Sequence, residues 1–280
     1  MRWDLSIFYT GIDDPQLDAD ITAFAQQAED FNRKYDEALA MKLGEALPAY
    51  ASLVMLEQRI VGYLGLLQSL NVADAAVNAK KAEIERRLTT IEGEHLTFFE
   101  LELVALDDAV LEGYYACDSF VAKHRPWIEH VRVFKPHLLS EPVEAALIKR
   151  SSFGARAWGD FFDEVEADLE FDVCGKKHSL TVIIHALEES KDPHERTDLL
   201  HIINTGLGGP FAKYAAQALY MVTGSRALER NERGYRHPMD ARNKSNYVSD
   251  EMVEALHGAV QDVAAPLARR FYRLKAAHLG

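Results

Sequence analysis

Apolar side chains recur at steps of three and four over most of this chain. Ile21, Phe24, Ala25, Ala28 and Phe31 form the first such stripe, the period of an amphipathic helix. The opening from Trp3 to Gln16 reads as an extended arm. Its Asp13-Asp14-Pro15 starts the helix, with an acid at the cap and proline in the first turn. The helix is expected to run to about Leu43, with Gly44 ending it. Pro48 then opens a segment holding Tyr50, Leu53, Val54, Leu56, Ile60, Val61, Leu64, Leu67 and Leu70. That density of apolar residues suits the middle of a bundle better than a surface. Asn71 is placed to cap a third helix, polar in its first half and apolar from Leu96 to Leu106. Short turns between the three make them antiparallel neighbours, up-down-up. Shorter helices are predicted from Asp107 to Tyr115 and from Ser119 to Phe134. After a turn at Pro136-His137 another runs from Ser140 to about Leu169, with Glu141, Pro142 and Glu144 in its first turn.

The period then changes. Leu169 to Val173 and His178 to Val182 alternate on either side of Cys174-Gly175-Lys176-Lys177, the pattern of a β-hairpin. Helix resumes near Ile183, and Asp192-Pro193 opens another that meets Thr205-Gly206-Leu207-Gly208-Gly209-Pro210. Three glycines and a proline in that space must break or kink it. Helix returns from Phe211 to Met221. In the last helix, capped by Ser249-Asp250-Glu251, one stripe holds Val253, Leu256, Val260, Val263, Leu267, Phe271 and Leu274. Pro266 should kink it mildly, Arg269, Arg270, Arg273 and Lys275 suit its C-terminal turns, and Gly280 is placed as its cap. The fold class is therefore mainly α: long antiparallel helical hairpins in a bundle, with one small β-hairpin near 169–182. Two regions are expected, an N-terminal helical hairpin region over 1–115 and a second helical region with the β-hairpin over 116–280.

At 280 residues, 48% hydrophobic and 27% charged, the chain has the balance of a folded globular protein. Its net charge of −13 argues against nucleic acid, which wants a basic domain. The start does not resemble a signal peptide and no apolar segment is expected to reach the length of a membrane span, so a cytoplasmic protein without a membrane partner is expected. Cys117 and Cys174, far apart and without a CxxC, give neither a disulfide framework nor a thiolate zinc site.

Against that acidic background one stretch is basic. Arg226 to Tyr247 holds Arg226, Arg230, Arg233, Arg236, His237, Arg242 and Lys244 against Glu229, Glu232 and Asp240. It reads either as a binding loop held by a rigid scaffold or as a capped connector between helices. The glycine-rich run has neither a P-loop lysine nor a preceding strand, and no GxSxG or HExxH occurs. Glu92 with His95, and Glu254 with His257, have the Glu-x-x-His step of di-metal carboxylate bundles. Such a site needs an inward Glu on two further helices, and Glu57 is the candidate that the apolar second helix offers.

Several stretches in order resemble the oligoendopeptidase F group of the thimet oligopeptidase superfamily of zinc metallopeptidases. WDLSIFY resembles the family's opening, and FFELELVALDD (Phe98 to Asp108) is similar to the helix before its N-lobe region. PHLLSEPVEAALIKRSSFGARAWGDFFDEV (Pro136 to Val165) resembles that region itself. The tail, ERGYRHPMDARNKSNYVSDEMVEALHGAV followed by ARRFYRLKAAHLG, is similar to the family's arginine-asparagine segment and the helix leading to its catalytic domain.

The resemblance implies a clam shell of helices around a channel. The N-terminal lobe forms one wall, and a second lobe carries zinc on HExxH and a downstream glutamate. This sequence ends where that second lobe would begin. It is therefore expected to be a piece of a longer enzyme whose zinc domain would follow residue 280. It carries no catalytic or metal-ligating residue of its own and should be inactive alone. Zinc belongs to the full-length enzyme, and no cofactor is expected in this chain. Arg233, Tyr235, Arg242 and Asn243 are the candidates for contacting peptide backbone, a terminal carboxylate or the opposing lobe. Partners implied are short peptides and the missing catalytic lobe. A lobe cut from its partner should expose an apolar patch, which also offers a homodimer contact. The reading from another class is a self-contained helical scaffold or binding protein.

Overall fold

The structure is a computed structural model and describes residues 3–279; the expected Gly280 cap lies outside the described residues. It is mainly helical, with a two-stranded antiparallel sheet. Two compact units divide it: Met1–Ala167 with Gln217–Gly234, and Asp168–Ala216 with Tyr235–Gly280.

In the first unit, α1 (Pro15–Tyr35) begins as its sequence predicts. Asp14 caps it, accepting from the Gln16 N–H at 2.8 Å and from Thr10 N–H at 2.7 Å. Its stripe of Leu17, Ile21, Phe24, Ala28, Phe31 and Tyr35 is buried, each large side chain contributing about 1.5–3 kcal/mol of transfer energy. The break after α1 comes earlier than expected. The chain turns at Glu37, whose φ is 58°, and α2 (Leu39–Leu70) runs straight through Gly44 and Pro48. Gly44 serves packing instead of termination, since a Cβ there would lie 2.6 Å from an Asp118 carboxylate oxygen. The irregularity in α2 lies upstream of Gly44 and Pro48, as non-helical backbone at Lys42, where two helical segments meet across a kink.

The N-terminus of α2 has no capping side chain of its own. Glu102 supplies one from far along the chain, accepting from Glu37 N–H at 2.6 Å and Leu39 N–H at 3.3 Å. The Tyr114 hydroxyl adds a bond from Leu43 N–H and one to the Ala40 carbonyl, both 3.2 Å. By length and composition α2 could cross a membrane, contrary to the expectation that no segment reaches that length. Its Leu43, Leu53, Ile60, Tyr63 and Leu64 pack into the core instead.

The third predicted helix is two. Asp74, not Asn71, caps α3 (Ala75–His95), and Leu96 separates it from α4 (Thr97–Ala105). α5 (Asp108–Cys117), α6 (Ser119–Lys123), α7 (Arg125–Val133), α8 (Glu141–Arg150) and α9 (Ala155–Ala167) follow, each predicted long stretch again broken by a turn. Phe31 gathers Phe98, Phe99 and Tyr50 at centroid distances of 5.6, 5.4 and 6.0 Å, and Tyr50 stacks on Phe99 at 4.1 Å.

In the second unit the hairpin is tighter than its sequence suggests. β1 (Phe171–Val173) pairs with β2 (Lys176–His178) across Cys174-Gly175 alone, with φ of 54° and 81°. Two left-handed residues make the turn that matches strand twist, which draws Lys176 and Lys177 into the strand. Phe171 packs on Ile183 of α10 (Leu180–Glu189) and on Leu199 and Ile203 of α11 (Pro193–Gly208). Of the glycine-rich run, Gly206 and Gly208 stay helical and Gly209 alone separates α11 from α12 (Pro210–Glu232). α12 extends past Met221 through Arg226 and Glu229, which pair at 3.0 Å. The helix continues through Gly224 and the chain turns only at Gly234, whose φ is 67°, so the first part of the basic stretch is helix. α13 (Asp240–Ser245) and α14 (Asp250–Leu279) complete the chain.

Candidate functional site

The basic stretch is largely tied to acids. Arg233 forms a two-pronged pair with Glu144 of α8, Nη1 to Oε1 at 2.6 Å and Nη2 to Oε2 at 2.9 Å. Nη1 also donates to the His137 carbonyl at 3.2 Å, and Leu139 N–H donates to Glu144 at 2.8 Å. The His137 ring returns a bond from Nδ1 to the Arg233 carbonyl at 2.8 Å, which places a proton on Nδ1. Burial alone would raise the Glu144 pKa. The Arg233 fork and the Leu139 amide outweigh it and hold the carboxyl below its ordinary value.

Within the second unit the rest of the stretch closes on Asp250 at the start of α14. Asn243 donates to its Oδ1 at 2.9 Å, Arg236 to Oδ2 at 3.0 Å, and His237 Nε2 lies 3.1 Å from Oδ2. Met239 N–H donates to the other ring nitrogen at 3.3 Å, so His237 carries its proton on Nε2. The bonds from Asn243 and His237 lower the Asp250 pKa. Asp240 is buried and pairs with Lys244, and its carboxyl is held far down because that bond and the Arg236 amide outweigh burial. Of the four predicted contact residues, then, Arg233 and Asn243 spend their side chains on internal bonds. Tyr235 is half-buried, and Arg242 is exposed, with no hydrogen bond or ion pair from its guanidinium among the described residues.

Glu144 also forms part of a wall that its sequence did not announce. A cavity of about 280 Å³ in the first unit is lined by Tyr50, Glu57, Glu92, Glu100 and Glu144, with Leu96, Leu101, Leu138 and Ile148 between them. Burial and the neighbouring Glu57 push the Glu92 carboxyl up to about 9. Burial and Glu144 raise Glu100, and burial followed by Glu100 raises the Tyr50 phenol. Near neutral pH this pocket therefore holds a protonated Glu92 beside Glu57 and a neutral phenol, with the Glu144 charge matched by Arg233. A cationic or hydrogen-bond-donating group entering would satisfy these acceptors and displace the proton on Glu92. Glu57 had been singled out as an inward acid. Glu100 could have been, because it interrupts the apolar run Leu96 to Leu106.

Among the described residues no group of three or more His, Cys, Asp or Glu is placed to hold a metal ion. Glu92 and Glu57 meet in the pocket without the further ligands a di-metal site requires.

Residues 102–171 match the model of the oligopeptidase F family, a segment that contains the Pro136 to Val165 run, Glu144 and both walls of the turn at Pro136. The crystal structure of oligoendopeptidase-F from Enterococcus faecium superposes with a TM-score of 0.81 at 19% identity, covering 94% of this chain. This chain spans about half, 53%, of that one. No curated protein matches the sequence. Over nearly all its length this chain shares the fold of that oligoendopeptidase-F, and over residues 102–171 its sequence matches the oligopeptidase F family model.

Proposed function

We propose that this chain is the substrate-channel lobe of a zinc-dependent oligoendopeptidase, acting on short peptides only together with a second lobe that carries the metal. The observation behind this is the pairing of a fold match over 94% of this chain and 53% of the longer one with a donor set that forms no metal site among the described residues. In this reading Arg242 offers a guanidinium to a peptide carboxylate or to the opposing lobe, and Tyr235, earlier in the same stretch, is a second contact. Arg233 and Asn243 act as positioning residues, the first fixing Glu144 in the pocket wall and the second fixing Asp250. A cytoplasmic setting goes with it.

The test is hydrolysis of a quenched fluorescent short peptide. The 280-residue chain with added zinc should give no cleavage above the blank. A longer chain whose reading frame continues into an HExxH segment should cleave, and a chelator should stop it. Chelator-sensitive cleavage by the 280-residue chain itself would overturn the proposal.

A further inference from the structure

A second cavity lies within the first unit, about 480 Å³ between α3 and the start of α9, and a buried lysine forms part of its wall. The Lys81 side chain is 6% exposed. Its ammonium stands 3.6 Å from a carboxylate oxygen of Glu85 and 3.6 Å from Asp160 Oδ1. Both distances exceed a hydrogen bond, and the ammonium makes none among the described residues. A cation withdrawn this far from water needs acceptors, and the cavity is the side from which they can come. The two carboxylates are not equivalent. Glu85 already accepts from Arg156 at 2.6 Å. Asp160, which also lines the cavity, pairs with Lys81 and accepts no hydrogen bond among the described residues.

Charge selects the occupant. An anion drawn to Lys81 would face Glu85, Asp160 and Glu164, and a cation drawn to those acids would face Lys81. A zwitterion gives each charge an opposite partner and leaves the net charge of the cavity unchanged. Spacing narrows the class further. In an α-amino acid the ammonium nitrogen and the carboxylate carbon are about 2.5 Å apart. Its carboxylate can therefore lie on Lys81 and its ammonium on Asp160, antiparallel to a pair that is 3.6 Å apart. The termini of an extended dipeptide, about 5–6 Å apart, do not match that pair. Phe153, Ala157 and Phe161 line the same cavity and offer an apolar wall to the amino acid's side chain.

We propose that this cavity binds a free α-amino acid with an apolar side chain, held by Lys81 at its carboxylate and by Asp160 at its ammonium. Each contact is a charge-assisted hydrogen bond. The proposal stands apart from the peptidase reading, because every residue it uses lies in α3, in α9 or in the turn at residues 151–153.

Isothermal titration calorimetry of the 280-residue chain with L-leucine tests it. Binding should saturate at one leucine per chain. Leucinol, which lacks the carboxylate, 4-methylpentanoate, which lacks the amine, and the dipeptide Leu-Leu should each bind at least about tenfold more weakly. Glycine should also bind more weakly, because it leaves the apolar wall unused. Asp160→Asn should weaken leucine binding by about tenfold or more with the thermal midpoint unchanged, since that side chain is 40% exposed. Lys81→Met should abolish binding; if it unfolds the chain, Asp160→Asn decides the matter. The absence of saturable leucine binding would leave Lys81 and Asp160 to water and overturn the proposal. Leucine binding that Asp160→Asn does not change would overturn it too. Binding of leucinol or of sorbitol as tight as that of leucine would overturn it in favour of a cation site or a polyol site.

Discussion

Replacing Arg233 with methionine removes a cation while keeping much of its bulk, and the structure fixes what should follow. The Arg233 and Glu144 side chains are 16% and 10% exposed, so the pair is largely withdrawn from water. Arg233→Met leaves Glu144 with the Leu139 amide as its remaining donor. Stranding one member of such a pair costs about 3–5 kcal/mol. For a chain of this size that lowers the thermal midpoint by about 6–10 °C. The sign of the pH dependence follows from the lowered Glu144 pKa. A carboxyl depressed in the folded state stabilises above its unfolded value of about 4.3, and that contribution is lost as pH falls through the folded value. In Arg233→Met the stranded carboxyl takes up a proton instead, so the gap between wild type and variant should narrow from pH 7.5 to pH 4.5. Adding Glu144→Leu removes the orphaned charge and should bring stability back to within about 1 kcal/mol of wild type. Urea unfolding followed by circular dichroism at both pH values measures all of this. The reasoning fails if Arg233→Met costs under about 1 kcal/mol at pH 7.5, if the gap widens on acidification, or if the double variant is no more stable than the single one.

The acidic pocket predicts the opposite pH behaviour. With its pKa raised to about 9, Glu92 contributes stability that is complete below its unfolded value and is lost as pH rises to about 9. Glu92→Gln should therefore gain on wild type by roughly 1–3 kcal/mol between pH 5 and 9 and by nothing at pH 4, read from thermal midpoints; a pH-independent difference would contradict this. Gly93→Ala should cost about 1–3 kcal/mol in urea, because its Cβ would lie 2.9 Å from the Ala145 carbonyl oxygen where α3 meets α8. Gly206→Ala should lose a similar amount, about 1–3 kcal/mol, since its Cβ would come 2.5 Å from the Phe171 ring. Adding Phe171→Leu should recover part of that loss, and no recovery would place the strain elsewhere.

Periodicity carried the fold a long way. The α1 stripe, the hairpin and the stripe of α14 all stand where steps of three, four or two residues put them. What periodicity could not carry was the role of single residues fixed by contacts distant in sequence. Gly44 has the look of a helix terminator, and only the approach of Asp118 explains why α2 continues through it. The long predicted helices broke at Leu96 and at residues 151–154, where packing and not local preference sets the turn. The basic stretch was visible as charge. Its partner Glu144 was not, because pairing across 89 residues leaves no local mark, and Asp250, close by in sequence, read only as part of the cap of α14. The carboxylates of the pocket come from four helices, and only Glu57 had been picked out as facing inward.

The borrowed cap on α2 also has a kinetic meaning. Its first turn takes its side-chain bonds from Glu102 and Tyr114, which lie more than 60 residues further on. Closing a loop of that length is costly in chain entropy, so these bonds form only once α4 and α5 have docked. Glu102→Gln should accordingly speed unfolding and leave the folding rate almost unchanged, a φ value near zero. The start of α2 is thus completed late, by parts of the chain that a ribosome has yet to synthesise when α2 itself emerges.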